Sequence, residues 1–307
     1  MHARTPATAA LIALATLCGP SVAHGISVDG VRDPEYGPPL AIQSTQTGAG
    51  NNTQGQVDYS LGSELDEVYG VIADGTLYLF FSGNLTFYWS LEGQTVWLPL
   101  DVYVDSKPGG QNVLLANNPA PDPAYDVSRA AGMTFDTGVS PDYWLSVGGN
   151  AYTWPNLRAY EADLSTGGGG SGAYLGTTPA GGTGALSGGS NPFGIQVAMD
   201  ERNVAGVTYG CGPESGTGAT RGIEWAIPLA AIGNPTGCVN VCALVPCADH
   251  SCISNQVLGP IPPGTCGFSA ASAVNFAAIP GAQYVTVCGL SVPTLRTSWG
   301  VLKQLYR

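Results

Sequence analysis

Residues 221–237, R-G-I-E-W-A-I-P-L-A-A-I-G-N-P-T-G, constrain the fold more than any other stretch of the chain. Ile223, Trp225 and Ile227 alternate with Gly222, Glu224 and Ala226, which is the period of a β-strand that buries one face. Pro228 has no N–H to offer a neighbouring strand and ends the ladder. A helical turn through Leu229, Ala230, Ala231 and Ile232 is expected after the proline, closing at Gly233. Trp225 shares the isoleucine face and is therefore assigned to packing rather than to a ligand. The segment reads as a strand turning a corner, a feature of folds built from short strands and sharp turns.

Composition points the same way. Only 10% of residues are charged, while 44 are Gly and 23 are Pro, so helix formers are scarce and turn formers abundant. The predicted class is all-β: an antiparallel, jelly-roll-like β-sandwich with long Gly-rich loops and a short C-terminal helix. Residues 68–73 and 76–81 are two β-rich runs separated by Asp74-Gly75, a dipeptide that accepts positive φ in a two-residue hairpin turn. Residues 95–105 read as one strand, with Leu98, Leu100, Val102 and Val104 on a greasy face and Trp97, Asp101, Tyr103 and Asp105 facing outward. Further strands are expected at 133–135, 142–147, 152–163, 194–199, 222–227, 239–245 and 283–287. Residues 165–190, rich in Gly, Ser and Thr, are expected to form a mobile surface loop.

Three segments are distinguished. Residues 1–23 have the pattern of a signal peptide: Arg4, an apolar run at 9–17 too short to span a bilayer, and the small residues Ser21-Val22-Ala23, with cleavage expected after Ala23. Residues 24–289 form the sandwich domain. Residues 290–307 form a basic amphipathic tail in which Trp299, Leu302 and Tyr306 fall at helical spacing beside Arg296, Lys303 and Arg307. The expected location is therefore secreted, outside the cell or at its surface. Seven cysteines follow the cleavage site, all in the last third: Cys211, Cys238, Cys242, Cys247, Cys252, Cys266 and Cys288. In an exported chain they read as disulfides with one thiol left over. Cys238 and Cys242 lie on one predicted strand, about 13 Å apart at roughly 3.3 Å per residue, and so cannot pair with each other. Cys247 and Cys252 flank a loop and can.

The ordered elements V-D-G-V-R-D (28–33), G-T-L-Y-L-F-F (75–81), L-D-V-Y-V-D-S (100–106), D-Y-W-L-S-V (142–147) and G-I-E-W-A-I-P-L-A-A-I-G (222–233) carry a resemblance. Together they resemble carbohydrate-binding module family 9 and DOMON-like β-sandwiches over residues 28–259. The motifs at 191–194, 200–207 and 254–259 are also similar to those of a group of uncharacterised exported bacterial proteins. The family resemblance implies sugar binding, for which flat aromatic faces stack on pyranose C–H patches while carboxylates take the hydroxyls. Candidate residues are Tyr88 and Trp89 in the loop N-L-T-F-Y-W, and Trp97 with Asp101 and Tyr103 on the outward strand face; Trp144 and Trp154 come after these. Calcium is a second implication, with Asp66, Glu67, Asp105 and Asp200 as candidate oxygen ligands. No other cofactor is expected.

Other functional classes fit less well. A formal charge of −12 disfavours nucleic acid and anionic membranes as partners, and no apolar stretch is long enough to span a bilayer. The sequence holds neither H-E-x-x-H nor G-x-S-x-G, and a carboxylate-pair glycosidase is the remaining catalytic alternative. The expectation is a non-catalytic module whose partner is a glycan or the cell-envelope surface. The rival is a structural or adhesive envelope protein without a small ligand, capable of self-association.

Overall fold

A computed structural model of the chain describes residues 25–289 apart from 49–62, 86–88, 92–93, 97, 150–155, 180–183, 209, 216, 260, 263 and 267–268. The expected signal segment and C-terminal tail lie outside the described residues. Among those described, the fold is all-β, with two packed antiparallel sheets and only short 3-10 turns between them. One sheet has five strands in the order β1 (Ala41–Ile42), β2 (Glu64–Ala73), β3 (Thr76–Asn84), β12 (Gly222–Pro228) and β11 (Gln196–Met199). The other, nine-stranded, runs β10 (Ser187–Gly188), β9 (Gly172–Thr177), β8 (Leu157–Asp163), β7 (Tyr143–Gly149), β6 (Leu100–Asp105), β13 (Val239–Pro246), β14 (Cys252–Val257) and β15 (Ser269–Ala270), with β16 (Val285–Val287) also paired to β13. A separate hairpin joins β4 (Trp89–Leu91) to β5 (Gln94–Val96).

Period-2 alternation builds the sandwich interior. Leu77, Leu79 and Phe81 of β3, with Ile223, Trp225 and Ile227 of β12, pack against Val102 and Val104 of β6 and Val147 of β7. Trp225 is fully buried, as its place on the isoleucine face requires. The β2–β3 turn is the two-residue hairpin expected, with φ of 48° at Asp74 and 76° at Gly75. The corner after β12 also forms: Leu229–Ile232 is a 3-10 turn closed by left-handed Gly233, whose N–H donates to the Leu229 carbonyl. Pro228 remains the last residue of the strand, opposite Thr76.

Three readings of the sequence are corrected. The run at 95–105 is broken into β5 and β6 by Leu98-Pro99, because Pro99 cannot donate to a ladder. The run at 133–135 contributes only single bridges, from Thr134 to Val113 and to Asn275. The Gly-rich stretch at 165–190 holds β9 and β10, which extend the nine-stranded sheet from β8.

A fourth correction bears on function. The face of β6 expected to look outward is covered. Tyr103 of β6, Trp144 of β7 and Tyr160 of β8 are buried with Tyr125, Val127, Met133, Phe135 and Phe276 from the connecting segments, giving a second apolar layer behind the nine-stranded sheet. Alternation distinguishes the two faces of a strand but does not say that one of them meets water, and here both are buried.

Three disulfides tie the C-terminal third together: Cys211–Cys266, Cys238–Cys288 and Cys247–Cys252. Cys242 is a buried free thiol. It sits on β13 opposite Tyr103, on the face away from Val239 and Val241.

Candidate functional site

The outer face of the five-stranded sheet is only partly covered. Along β12, Glu224 and Ala226 point to this face, and register places Phe80 and Ala198 beside Glu224, and Tyr78 and Gln196 beside Ala226. The N-terminal segment crosses the Glu224 row. Glu224 is fully buried and accepts hydrogen bonds from the backbone N–H of Asp29 at 2.9 Å and of Gly30 at 3.1 Å, and from the Tyr36 hydroxyl at 2.8 Å. Gly30 is required for this approach: its φ is +80°, and a Cβ there would lie 2.4 Å from the Asp200 nitrogen. V-D-G and E-W-A-I-P, almost two hundred residues apart, thus meet in one hydrogen-bonded clamp.

Burial raises the Glu224 carboxyl from 4.5 to about 7. The N–H groups of Asp29 and Gly30 and the Tyr36 hydroxyl oppose that shift without cancelling it. The same buried environment pushes the Tyr36 hydroxyl up, with the Glu224 charge adding to the shift.

The next row is left open. Small Ala226 lies between Tyr78 and Gln196, with Thr76 and Pro228 one row further along, so the sheet surface dips between two larger side chains. Ser27, Val28 and Asp29 form one wall, and Ala185 and Gly194 complete the lining. The result is an open groove of about 620 Å³, within the range of small-molecule sites. Asp29, Ser27 and Gln196 are exposed, and Tyr78 is partly exposed. Among the described residues, the side chains of Ser27, Thr76, Tyr78 and Gln196 make no hydrogen bond to another residue, while Asp29 accepts one from the Val31 N–H at 2.9 Å. The floor therefore presents an aromatic ring and aliphatic surface, and the rim presents hydroxyls, one amide and one carboxylate.

A smaller depression of about 410 Å³ lies beside Lys107, Asp142 and Asp163. Its polar groups are largely engaged with one another. Asp142 accepts the N–H groups of Ser106 and Lys107, Asp163 accepts from Ser171, and the Lys107 ammonium donates to the Tyr143 hydroxyl at 2.7 Å.

The residues singled out from the sequence fall elsewhere. Asp101 and Tyr103 are buried, at 1% and 0% exposure, beneath the second apolar layer, so neither meets a ligand from solvent. Trp144 is buried in the same layer. Tyr88, Trp97 and Trp154 lie outside the described residues. Trp89 begins β4, its backbone opposite Val96.

The four carboxylates considered for calcium are dispersed. Asp66 is buried on β2 where the β2–β3 register is irregular, and Glu67, the next residue, accepts from the Tyr69 hydroxyl. Asp105 accepts from the Ser140 N–H at 3.2 Å and from Asn240 at 3.4 Å. Asp200 is ion-paired to Arg202 and Arg221. Burial alone would raise its carboxyl, but the hydrogen bonds from Arg202 and the Arg221 charge outweigh burial and hold it below the usual range. Among the described residues, no group of three or more His, Cys, Asp or Glu gathers as a metal site.

Fold and groove together define an all-β sandwich with an open, mixed polar and apolar groove on its smaller sheet. Comparison with protein-family models, with curated proteins and with solved structures gave no match to this chain. No helix among the described residues is long and apolar enough to cross a membrane.

Proposed function

We propose that the protein is a secreted, non-catalytic module that binds a neutral glycan in the groove over Tyr78, Ala226 and Gln196. The carrying observation is the pairing of the partly exposed Tyr78 ring with hydrogen-bonding side chains that have no partner in the described protein. A pyranose ring offers a C–H face to the tyrosine, and its hydroxyls match Ser27, Thr76, Gln196 and the Asp29 carboxylate. Among the described lining residues Asp29 is the one carboxylate, whereas glycoside cleavage uses a flanking pair, so binding fits this lining better than hydrolysis does. The net charge of −12 disfavours acidic glycans and leaves neutral ones as the expected class.

The test is a glycan array probed with the secreted chain, followed by affinity measurement for wild type, Tyr78→Ala and Gln196→Ala. Each substitution is expected to weaken binding about tenfold, the effect of losing roughly 1.4 kcal/mol. Gln196 is exposed, so its substitution leaves the melting temperature unchanged. No binding to any glycan, accompanied by fractionation with the cell envelope, would replace this reading with a structural or adhesive one.

A further inference from the structure

A buried polar cluster lies on the opposite side of the molecule from the groove, behind the nine-stranded sheet. Across β8, β7, β6 and β13, register aligns Tyr160, Ser146, Asp101 and Leu244 in one row, with Trp144 and Tyr103 in the next row on the same face. His250 covers the row. It comes from the turn closed by Cys247–Cys252, holds a left-handed backbone with φ of 62°, and is fully buried. Its Nδ1 lies 2.9 Å from Asp101 Oδ2, and its ring sits 5.5 Å from those of both Trp144 and Tyr125, centre to centre. Tyr125 in turn stacks on Tyr160 at 4.1 Å and lies directly over Gly148, where a Cβ would meet its hydroxyl.

Four buried side-chain atoms in this cluster have no protein partner: Asp101 Oδ1, His250 Nε2, Trp144 Nε1 and Ser146 Oγ. Their chemistry is complementary to one ligand. With its proton on Nδ1, facing Asp101 Oδ2, the imidazole offers Nε2 as an acceptor alongside Asp101 Oδ1. Trp144 Nε1 is an obligate donor, and the Ser146 hydroxyl is free to donate. Two acceptors and two donors match the two donors and two acceptors of a single water molecule. Buried polar groups are rarely left unpaired, and internal waters in folded proteins typically bridge about three such groups.

We propose that this cluster is a specific internal hydration site, in which at least one long-lived water bridges His250 Nε2 to Asp101, Trp144 and Ser146. The water completes a hydrogen-bonded link between the Cys247–Cys252 turn and the centre of the nine-stranded sheet.

A crystal structure of the intact protein at about 1.5 Å or better, together with water–protein NOE spectra of the folded protein, tests this. The expected result is a water oxygen within about 3.2 Å of His250 Nε2 and of at least two of the other three atoms. Water cross-peaks of the sign given by slow exchange are expected at the Trp144 indole N–H. A dry cluster overturns the proposal, as does a direct bond from His250 Nε2 to a protein atom or the absence of those cross-peaks.

Discussion

Replacing Glu224 by glutamine preserves the shape of the side chain and removes the charge it buries beneath the N-terminal segment. In the folded protein, burial lifts this carboxyl from 4.5 to about 7, so the folded chain holds the proton more tightly than the unfolded chain does. The stabilisation from this group is therefore fully present below about pH 4.5 and is lost as pH rises through 7. At about 1.36 kcal/mol per pH unit the full swing is about 3 kcal/mol, most of which falls between pH 5 and 8. Glutamine has no such term. Its carbonyl can still accept from the N–H groups of Asp29 and Gly30, and its amide faces the Tyr36 hydroxyl. Any fixed mismatch in those bonds shifts the variant equally at every pH. The stability of Glu224→Gln relative to wild type is thus expected to rise by about 2–3 kcal/mol from pH 5 to 8, roughly 4–12 °C in melting temperature for a domain of this size. Denaturant melts of both proteins at half-unit pH steps measure it. Parallel pH profiles would show that Glu224 does not sit as a buried, unevenly solvated carboxylate and would refute the clamp.

Four further outcomes are expected. Glu161, raised to about 7 by burial and by the Asp163 charge, acts in the same direction as Glu224, so wild-type melting temperature should fall from pH 5 to 8; a rise would contradict both. Gly30→Ala places a methyl group against the backbone of Asp200 at positive φ and should cost about 2–4 kcal/mol, measured by chemical denaturation. Trp225→Ala removes a fully buried ring between the sheets and should cost about 3–5 kcal/mol in the same assay. In a chain beginning at His24, Cys242 should resist alkylation under native, non-reducing conditions, and unfolding without reductant should expose that one thiol, as read by intact mass.

Local chemistry made parts of this fold legible. Pro228 and Gly233 mark the corner, Asp74-Gly75 marks the hairpin, and the spacing of Cys247 and Cys252 allows the pair that forms. Each of these signals is completed within a few residues. The groove and its clamp are not local: Tyr78, Ala226 and Gln196 become neighbours only through strand register, and Asp29 meets Glu224 across 195 positions. The mistaken orientation of Asp101 and Tyr103 has the same origin. Alternation separated them correctly from Leu100 and Val102, but the layer that covers them comes from irregular segments around Tyr125, Phe135 and His250, which carry no periodicity to read. His250 and Asp101 are 149 positions apart, and nothing in the residues around either one announces the pair.

The most direct test of glycan binding in the groove is an NMR titration of the labelled protein with a neutral oligosaccharide selected on the array. Shift changes are expected to centre on Ser27, Asp29, Tyr78, Ala185 and Gln196, the residues that line the open row of the five-stranded sheet. Changes centred on the Trp89 hairpin with the groove unaffected, or no change with any neutral glycan, would contradict it.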